Sequence, residues 1–154
     1  MRKFLIAIFC LLISSTSSSA LVEVDITRGN LDPLPIAVSP LYVEPGSEDI
    51  KINDKLIKNI GDEIAKVIEV NFKRSGLFNP LKKDSFVQNP DIAHAKPRFE
   101  DWRLIKAQAL VTGKVTISND KLRTEFRLWD VVAAKEMLAL AFSTTPDNWR
   151  RVAH

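Results

Sequence analysis

The chain has 154 residues, with 22 basic and 19 acidic side chains and a single cysteine. A formal net charge of +3 supplies no strong field of either sign, so nucleic acid is not an expected partner. The one cysteine, Cys10, falls within an amino-terminal leader, which removes disulfide scaffolds, thiol catalysis and cysteine metal sites from the mature chain.

The leader reads from its ends inward. Arg2 and Lys3 form a positive start, Phe4 to Ile13 an apolar run, and Ser18-Ser19-Ala20 a stretch of small residues suited to a signal peptidase. The apolar run is too short for a spanning helix, which needs about 20 residues. Residues 1–20 are therefore expected to be a signal peptide, with no stable membrane insertion after cleavage. Bulky Phe9 makes Cys10 a poor lipidation site. The remaining chain, 154 less 20 or 134 residues, suits one domain. Losing Arg2 and Lys3 leaves it 20 basic and 19 acidic residues, a net of +1. Lys82-Lys83 and Arg150-Arg151 read as solvated surface.

The mature chain opens on LVEVDITRG, residues 21–29. Val22, Val24 and Ile26 alternate with Glu23, Asp25 and Thr27, the period of a strand. Such a segment either forms an edge strand of its own sheet or pairs with a partner by strand addition. Three apolar anchors at about 1.5–3 kcal/mol each stand against an ordering cost of about 1–2 kcal/mol per residue. Strand addition here would be a reversible dock.

Arg28-Gly29-Asn30 signals a turn, and Ile36-Ala37-Val38 a short buried strand. Residues 53–75 place Leu56, Ile57, Ile60, Ile64, Val67, Ile68 and Phe72 at helical spacing. The spacing predicts one long amphipathic helix, capped by Asn53 or Asp54 and stopped at Gly76. Gly61 within it implies a close approach to the sheet. Residues 77–97 read as loop, and Phe99 to Gln108 as a short second helix. The period then becomes two: Val111 to Ile117 and Leu122 to Leu128 form a hairpin through Asn119-Asp120, and Met137 to Ser143 adds a third strand. Thr145-Pro146-Asp147 opens a further helix. That helix is cut within two turns, which predicts a truncated product or a fragment. The order predicts an α+β domain over residues 21–154: a mixed sheet with helices packed on one face and an antiparallel meander in its second half.

No catalytic constellation emerges. Ser118-Asn119-Asp120-Lys121 matches the S-x-x-K pattern, but that chemistry needs the serine at a helix start, and these four residues read as a hairpin turn. Thr112-Gly113-Lys114 lacks the preceding glycine of a phosphate loop. His94 and His154 have no carboxylate at a ligand spacing, so no metal is expected. Trp102, Trp129 and Trp149 read as core or rim. The chain is expected to be no enzyme and to need no cofactor.

Four stretches carry a family likeness. They are Glu23-Val24-Asp25-Ile26 after the leader; Pro35 to Pro40; Arg74-Ser75-Gly76-Leu77-Phe78-Asn79-Pro80-Leu81; and Arg127 to Val131 together with Ser143 to His154. In this order the chain resembles the TolB amino-terminal domain family of the Gram-negative Tol–Pal system. The resemblance implies a periplasmic adaptor whose segment after the signal peptide, Val22, Glu23, Val24, Asp25, Ile26 and Thr27 here, contacts TolA. Family members continue into a six-bladed β-propeller that binds Pal. No propeller stretch stands in residues 1–154, so Pal is implied only where a propeller is supplied elsewhere. One departure lies at Ala133-Ala134-Lys135, where the family often places glycine. The alternative reading is a periplasmic ligand-binding module with a groove between the long helix and the sheet.

Overall fold

The computed structural model describes residues 32–47, 50–52, 55–57 and 59–154. The leader, the opening segment 21–29 and the cap candidates Asn53 and Asp54 lie outside the described residues. Among the described residues are eight strands: β1 (Leu34–Val38), β2 (Tyr42–Val43), β3 (Ile50–Ile52), β4 (Lys55–Ile57), β5 (Phe78–Pro80), β6 (Ala109–Ser118), β7 (Lys121–Asp130) and β8 (Lys135–Thr144). Three helices, α1 (Ile60–Ser75), α2 (Pro90–Ala93) and α3 (Phe99–Leu104), accompany them, with a closing 3₁₀ segment at Pro146–Ala153.

The main sheet runs β5-β1-β6-β7-β8, with β2 also pairing to β6. Its first half is parallel and its second half antiparallel, so the expected mixed α+β sheet with a closing meander is present. Ser118 pairs with Lys121, and Asn119 and Asp120 both take positive φ, 49° and 57°. This is the geometry that two-residue hairpin links require.

The long helix is shorter than its periodicity predicts. It starts at Ile60, and Lys55–Ile57 instead pairs antiparallel with Ile50–Ile52. The break is at Asn59, whose φ of 51° is left-handed and cannot continue a right-handed helix. Asp62 and Glu63 in the first turn suit the positive end of the dipole, and Lys73 and Arg74 the negative end. Gly76 takes the left-handed stop at φ 71° and donates to the Lys73 carbonyl.

Alternation along the strands divides the core in two. Ile36, Val38, Ala109, Val111 and Val115 point to the face covered by Ile60, Ile64 and Ile68 of α1 and by Trp149 and Ala153 of the closing segment. Ala37, Leu110, Trp129 and Val131 point the other way and pack with Trp102 of α3, Ala93 and Ala107. The long helix and the closing segment thus cover one face, and a smaller layer of short helices fills the opposite one.

That second layer is organised by Gln88, which is buried. Its amide donates to the Arg98 carbonyl (2.8 Å) and to Asp101 Oδ2 (3.0 Å), while its oxygen accepts from the Arg98 amide (3.1 Å) and the Trp102 indole (3.3 Å). The Gln88 hydrogen bond holds the Asp101 carboxyl below its ordinary value; desolvation opposes it and Arg98 adds to it. A lowered folded-state pKa means that this stabilisation is full above the ordinary carboxylate range and fades as pH falls through the folded midpoint. Replacing Gln88 with leucine is expected to move the Asp101 midpoint upward in a carboxyl-resolved NMR titration.

The β7–β8 link supports a second expectation. Ala134 has φ 53°, and the Ala133 amide donates to Asp130 Oδ1 at 2.8 Å. A left-handed alanine costs about 1–2 kcal/mol, against about 0.5–1 kcal/mol for the extra freedom of unfolded glycine. Ala134→Gly is therefore expected to stabilise the domain by about 0.5–1 kcal/mol, read as a higher urea midpoint.

Candidate functional site

Among the described residues β8 forms one edge of the sheet, ten residues long and without proline. Its pairing with β7 sets Leu138 beside Leu128, Leu140 beside Phe126 and Phe142 beside Thr124, all on the α1 side. Ala139 stands beside Arg127, Ala141 beside Glu125 and Ser143 beside Arg123 on the other side. The apolar row is poorly covered: Leu138, Leu140 and Phe142 are 48%, 45% and 44% exposed.

An apolar groove of about 400 Å³ runs over this row. Ile68 and Phe72 of α1 form one wall, Phe126 and the β8 row the floor, and Val152 with Ala153 one end. Phe126 and Phe142 meet on the floor with ring centroids 6.1 Å apart. Asn71 closes the carboxy-terminal side by donating to the Ala153 carbonyl at 3.0 Å, with His154 Nδ1 at 3.2 Å. The groove expected between helix and sheet is there. The sequence alone does not show that, among the described residues, its floor ends at a strand edge. The run Met137-Leu138-Ala139-Leu140-Ala141-Phe142 carried that signal, because so apolar a run at a sheet margin is seldom left uncovered.

The opposite face of β7 is charged. Arg123 bonds Glu125 (3.0 Å), and Arg127 lies 3.6 Å from Glu136 with its guanidinium 6.0 Å from the Trp129 ring. A polar recess of about 280 Å³ is lined there by His94, Lys114, Glu125 and Arg127. Lys114 is held by Glu44 at 3.2 Å. The Thr116 hydroxyl and then Lys114 keep the Glu44 carboxyl below its ordinary value.

The residues weighed for chemistry disperse. Ser118 and Lys121 face each other across an exposed hairpin turn, and neither stands on a helix. Thr112, Gly113 and Lys114 are consecutive residues of β6. His94 stacks on Tyr42 with ring centroids 4.3 Å apart, far in sequence from His154 on the groove. The described residues hold no cluster of three metal-ligating side chains. All three tryptophans are buried, Trp102 and Trp129 in one cluster and Trp149 in the other. Val22 to Thr27, the expected partner-binding residues, lie outside the described residues. Among the described residues no helix is long and apolar enough to cross a membrane.

Comparison with known proteins agrees with this architecture. The Tol-Pal system protein TolB of Pelagibacter ubique is 64% identical over 138 residues, which are 88% of this chain and 30% of that protein. The chain thus spans about a third of the curated relative's length. The crystal structure of TolB from Acinetobacter baumannii superposes with a TM-score of 0.59 at 17% identity, over 80% of this chain and 26% of that one. Lipoprotein GNA1162 from Neisseria meningitidis gives 0.54 at 18% identity, over 75% and 83% of the two chains. At such identities these two structures share the fold alone. The family model of the TolB amino-terminal domain matches residues 22–137, and the chain belongs to that family.

Proposed function

We propose that the chain is a non-enzymatic periplasmic adaptor of the Tol–Pal system, serving outer-membrane integrity and cell division through protein–protein contacts. Val22, Glu23, Val24, Asp25, Ile26 and Thr27 dock TolA by strand addition. The observation that carries this reading is the alternation of those six residues directly after the expected leader, in a chain of the TolB family. Backbone amides and carbonyls supply the pairing, Val22, Val24 and Ile26 enter pockets on one side, and Glu23 and Asp25 remain toward water. Pal becomes a partner only where a propeller is supplied.

Hydrogen exchange tests the docking. Adding the carboxy-terminal domain of TolA is expected to slow amide exchange of residues 22–27 at least tenfold, with the rest of the chain unchanged. Unchanged exchange of these amides would contradict the proposal.

The apolar groove supports a second reading, the binding of a small amphiphile between α1 and the sheet. Its polar rim is already engaged, Asn71 with the Ala153 carbonyl and Arg127 with Glu136. That leaves little for headgroup selection, so the adaptor reading is preferred.

A further inference from the structure

The middle of β8 is complementary to itself. Leu138-Ala139-Leu140-Ala141-Phe142 has the same pattern in either direction, large apolar residues alternating with alanine. We propose that this stretch pairs antiparallel with the same stretch of a second copy of this chain. Leu140 then faces Leu140 on a two-fold axis normal to the sheet.

The backbone is set for such pairing. The two-residue turn at Asn119-Asp120 closes β6 and β7 on a hydrogen-bonded pair, Ser118 with Lys121. Bonded and non-bonded pairs then alternate along the hairpin. Val111 and Val115 accordingly turn away from β7, and their carbonyls accept from the Ser39 and Glu44 amides. Carried across β7, the same alternation bonds Leu138, Leu140 and Phe142 to Leu128, Phe126 and Thr124. The amides and carbonyls of Ala139 and Ala141 therefore face outward, and among the described residues they meet no further strand. In the proposed register Ala139 stands opposite Ala141 of the second copy, and Ala141 opposite its Ala139. Each of these pairs exchanges two hydrogen bonds. No proline or charge interrupts residues 138–142, and the register shift of β8 lies just before Leu138. The devices that usually blunt a sheet edge are missing from this stretch.

Side chains select the register. On the α1 side Leu138 of each copy meets Phe142 of the other, and the two Leu140 side chains meet on the axis. The three half-exposed residues of each copy thereby gain apolar neighbours. Parallel pairing about a two-fold would instead put the two apolar rows on opposite faces. On the other side Arg127 stands beside Ala139, and Glu125 beside Ala141. A row across the axis then runs Arg127, Ala139, Ala141, Glu125, with opposite charges at its ends, three strand spacings or about 14 Å apart. A two-fold centred on Ala139 would set Arg127 against Arg127, and one centred on Ala141 would set Glu125 against Glu125. Centring on Leu140 pairs unlike charges in both rows. At that separation the charges choose register more than they add affinity. The contact buries on the order of 1,000 Å² in total, the low end for a specific interface, so the dimer is reversible.

The test uses the full chain, purified from the exported fraction, in a concentration series. Light scattering is expected to rise from the monomer mass toward twice that value. Amide exchange of Ala139 and Ala141 is expected to slow at least tenfold over the same range. Leu140→Lys is expected to weaken association at least tenfold with the urea midpoint nearly unchanged. Arg127→Glu is expected to weaken it severalfold, because two carboxylates then end each row, and Arg127→Glu combined with Glu125→Arg to restore it. The charge exchange decides if Leu140→Lys lowers the urea midpoint. A chain that is monomeric throughout overturns the proposal, and so does one whose Ala139 and Ala141 amides are already protected as a monomer, since another segment then holds the edge. A dimer indifferent to Leu140→Lys overturns it too, as does one weakened by Arg127→Glu that the double exchange fails to recover.

Discussion

Replacing Trp102 with alanine is expected to destabilise the domain by about 3–5 kcal/mol. The indole is 1% exposed and is the largest fully buried side chain among the described residues. It meets Phe86 edge-on with ring centroids 5.1 Å apart and packs in the cluster that holds Ala37, Leu110 and Trp129. The cost is mainly that of the cavity, because Gln88 Oε1 keeps the Arg98 amide as a donor when the indole is lost. Small domains are stable by only about 5–15 kcal/mol, so the loss is a large fraction of the whole. Equilibrium urea unfolding followed by far-UV circular dichroism should show a much lower midpoint, or no folded baseline. Trp102→Phe, which keeps most of the volume, should recover more than half of the loss. Equal stability of Trp102→Ala and wild type would contradict the two-sided core.

Gly61→Ala is expected to destabilise the domain by up to about 2 kcal/mol, although alanine is the better helix former. A Cβ at this position overlaps the Leu41 carbonyl oxygen and meets Val43 Cγ2 at 2.9 Å. Neither neighbour moves freely. The Leu41 amide donates to the Gly61 carbonyl at 3.3 Å, and Val43 pairs with Val115 of the central strand β6. Overpacking costs about 1–3 kcal/mol, and the helix preference for alanine returns about 1 kcal/mol. A rise in the urea midpoint of Gly61→Ala would show that the helix and the β1–β2 connection are less tightly apposed than described.

Both effects bear on what the sequence makes legible. Gly61 in an otherwise regular helix reads as a close approach, and the Leu41 backbone is what it approaches. The β6–β7 hairpin is equally plain, because Asn119-Asp120 sits between two alternating runs. The same dipeptide at Asn53-Asp54 was harder to read. There Leu56, Ile57 and Ile60 fall at helical spacing and extend the periodicity of α1 backward, whereas Lys55–Ile57 pairs antiparallel with Ile50–Ile52. A short apolar run fits both periods. The deciding feature was the left-handed Asn59, which the sequence marks only by a residue type tolerant of that conformation.

β5 was hidden for a different reason. Asn79-Pro80 reads as a turn, yet β5 is an edge strand, where a proline lacking its donor is tolerated. The closing segment is also only half legible. Its opening at Thr145-Pro146 holds, with Asn148 donating to Thr145 Oγ1 at 3.0 Å. A kink at Asn148 then makes it 3₁₀ in character, and it still buries Trp149 and Ala153. At the candidate site, alternation locates the strands but not their place in the sheet order. Only the order shows that, among the described residues, the apolar row of β8 lies at the sheet edge beside the groove.

The most direct test of the adaptor reading is a calorimetric titration with the carboxy-terminal domain of TolA, run on the exported chain and on a variant lacking residues 21–29. The account predicts saturable binding by the intact chain and none by the shortened one, with the two equally stable to urea. Equal binding by both would place the contact elsewhere on the domain and contradict the assignment to Val22–Thr27; absence of binding by both would contradict the TolA docking itself.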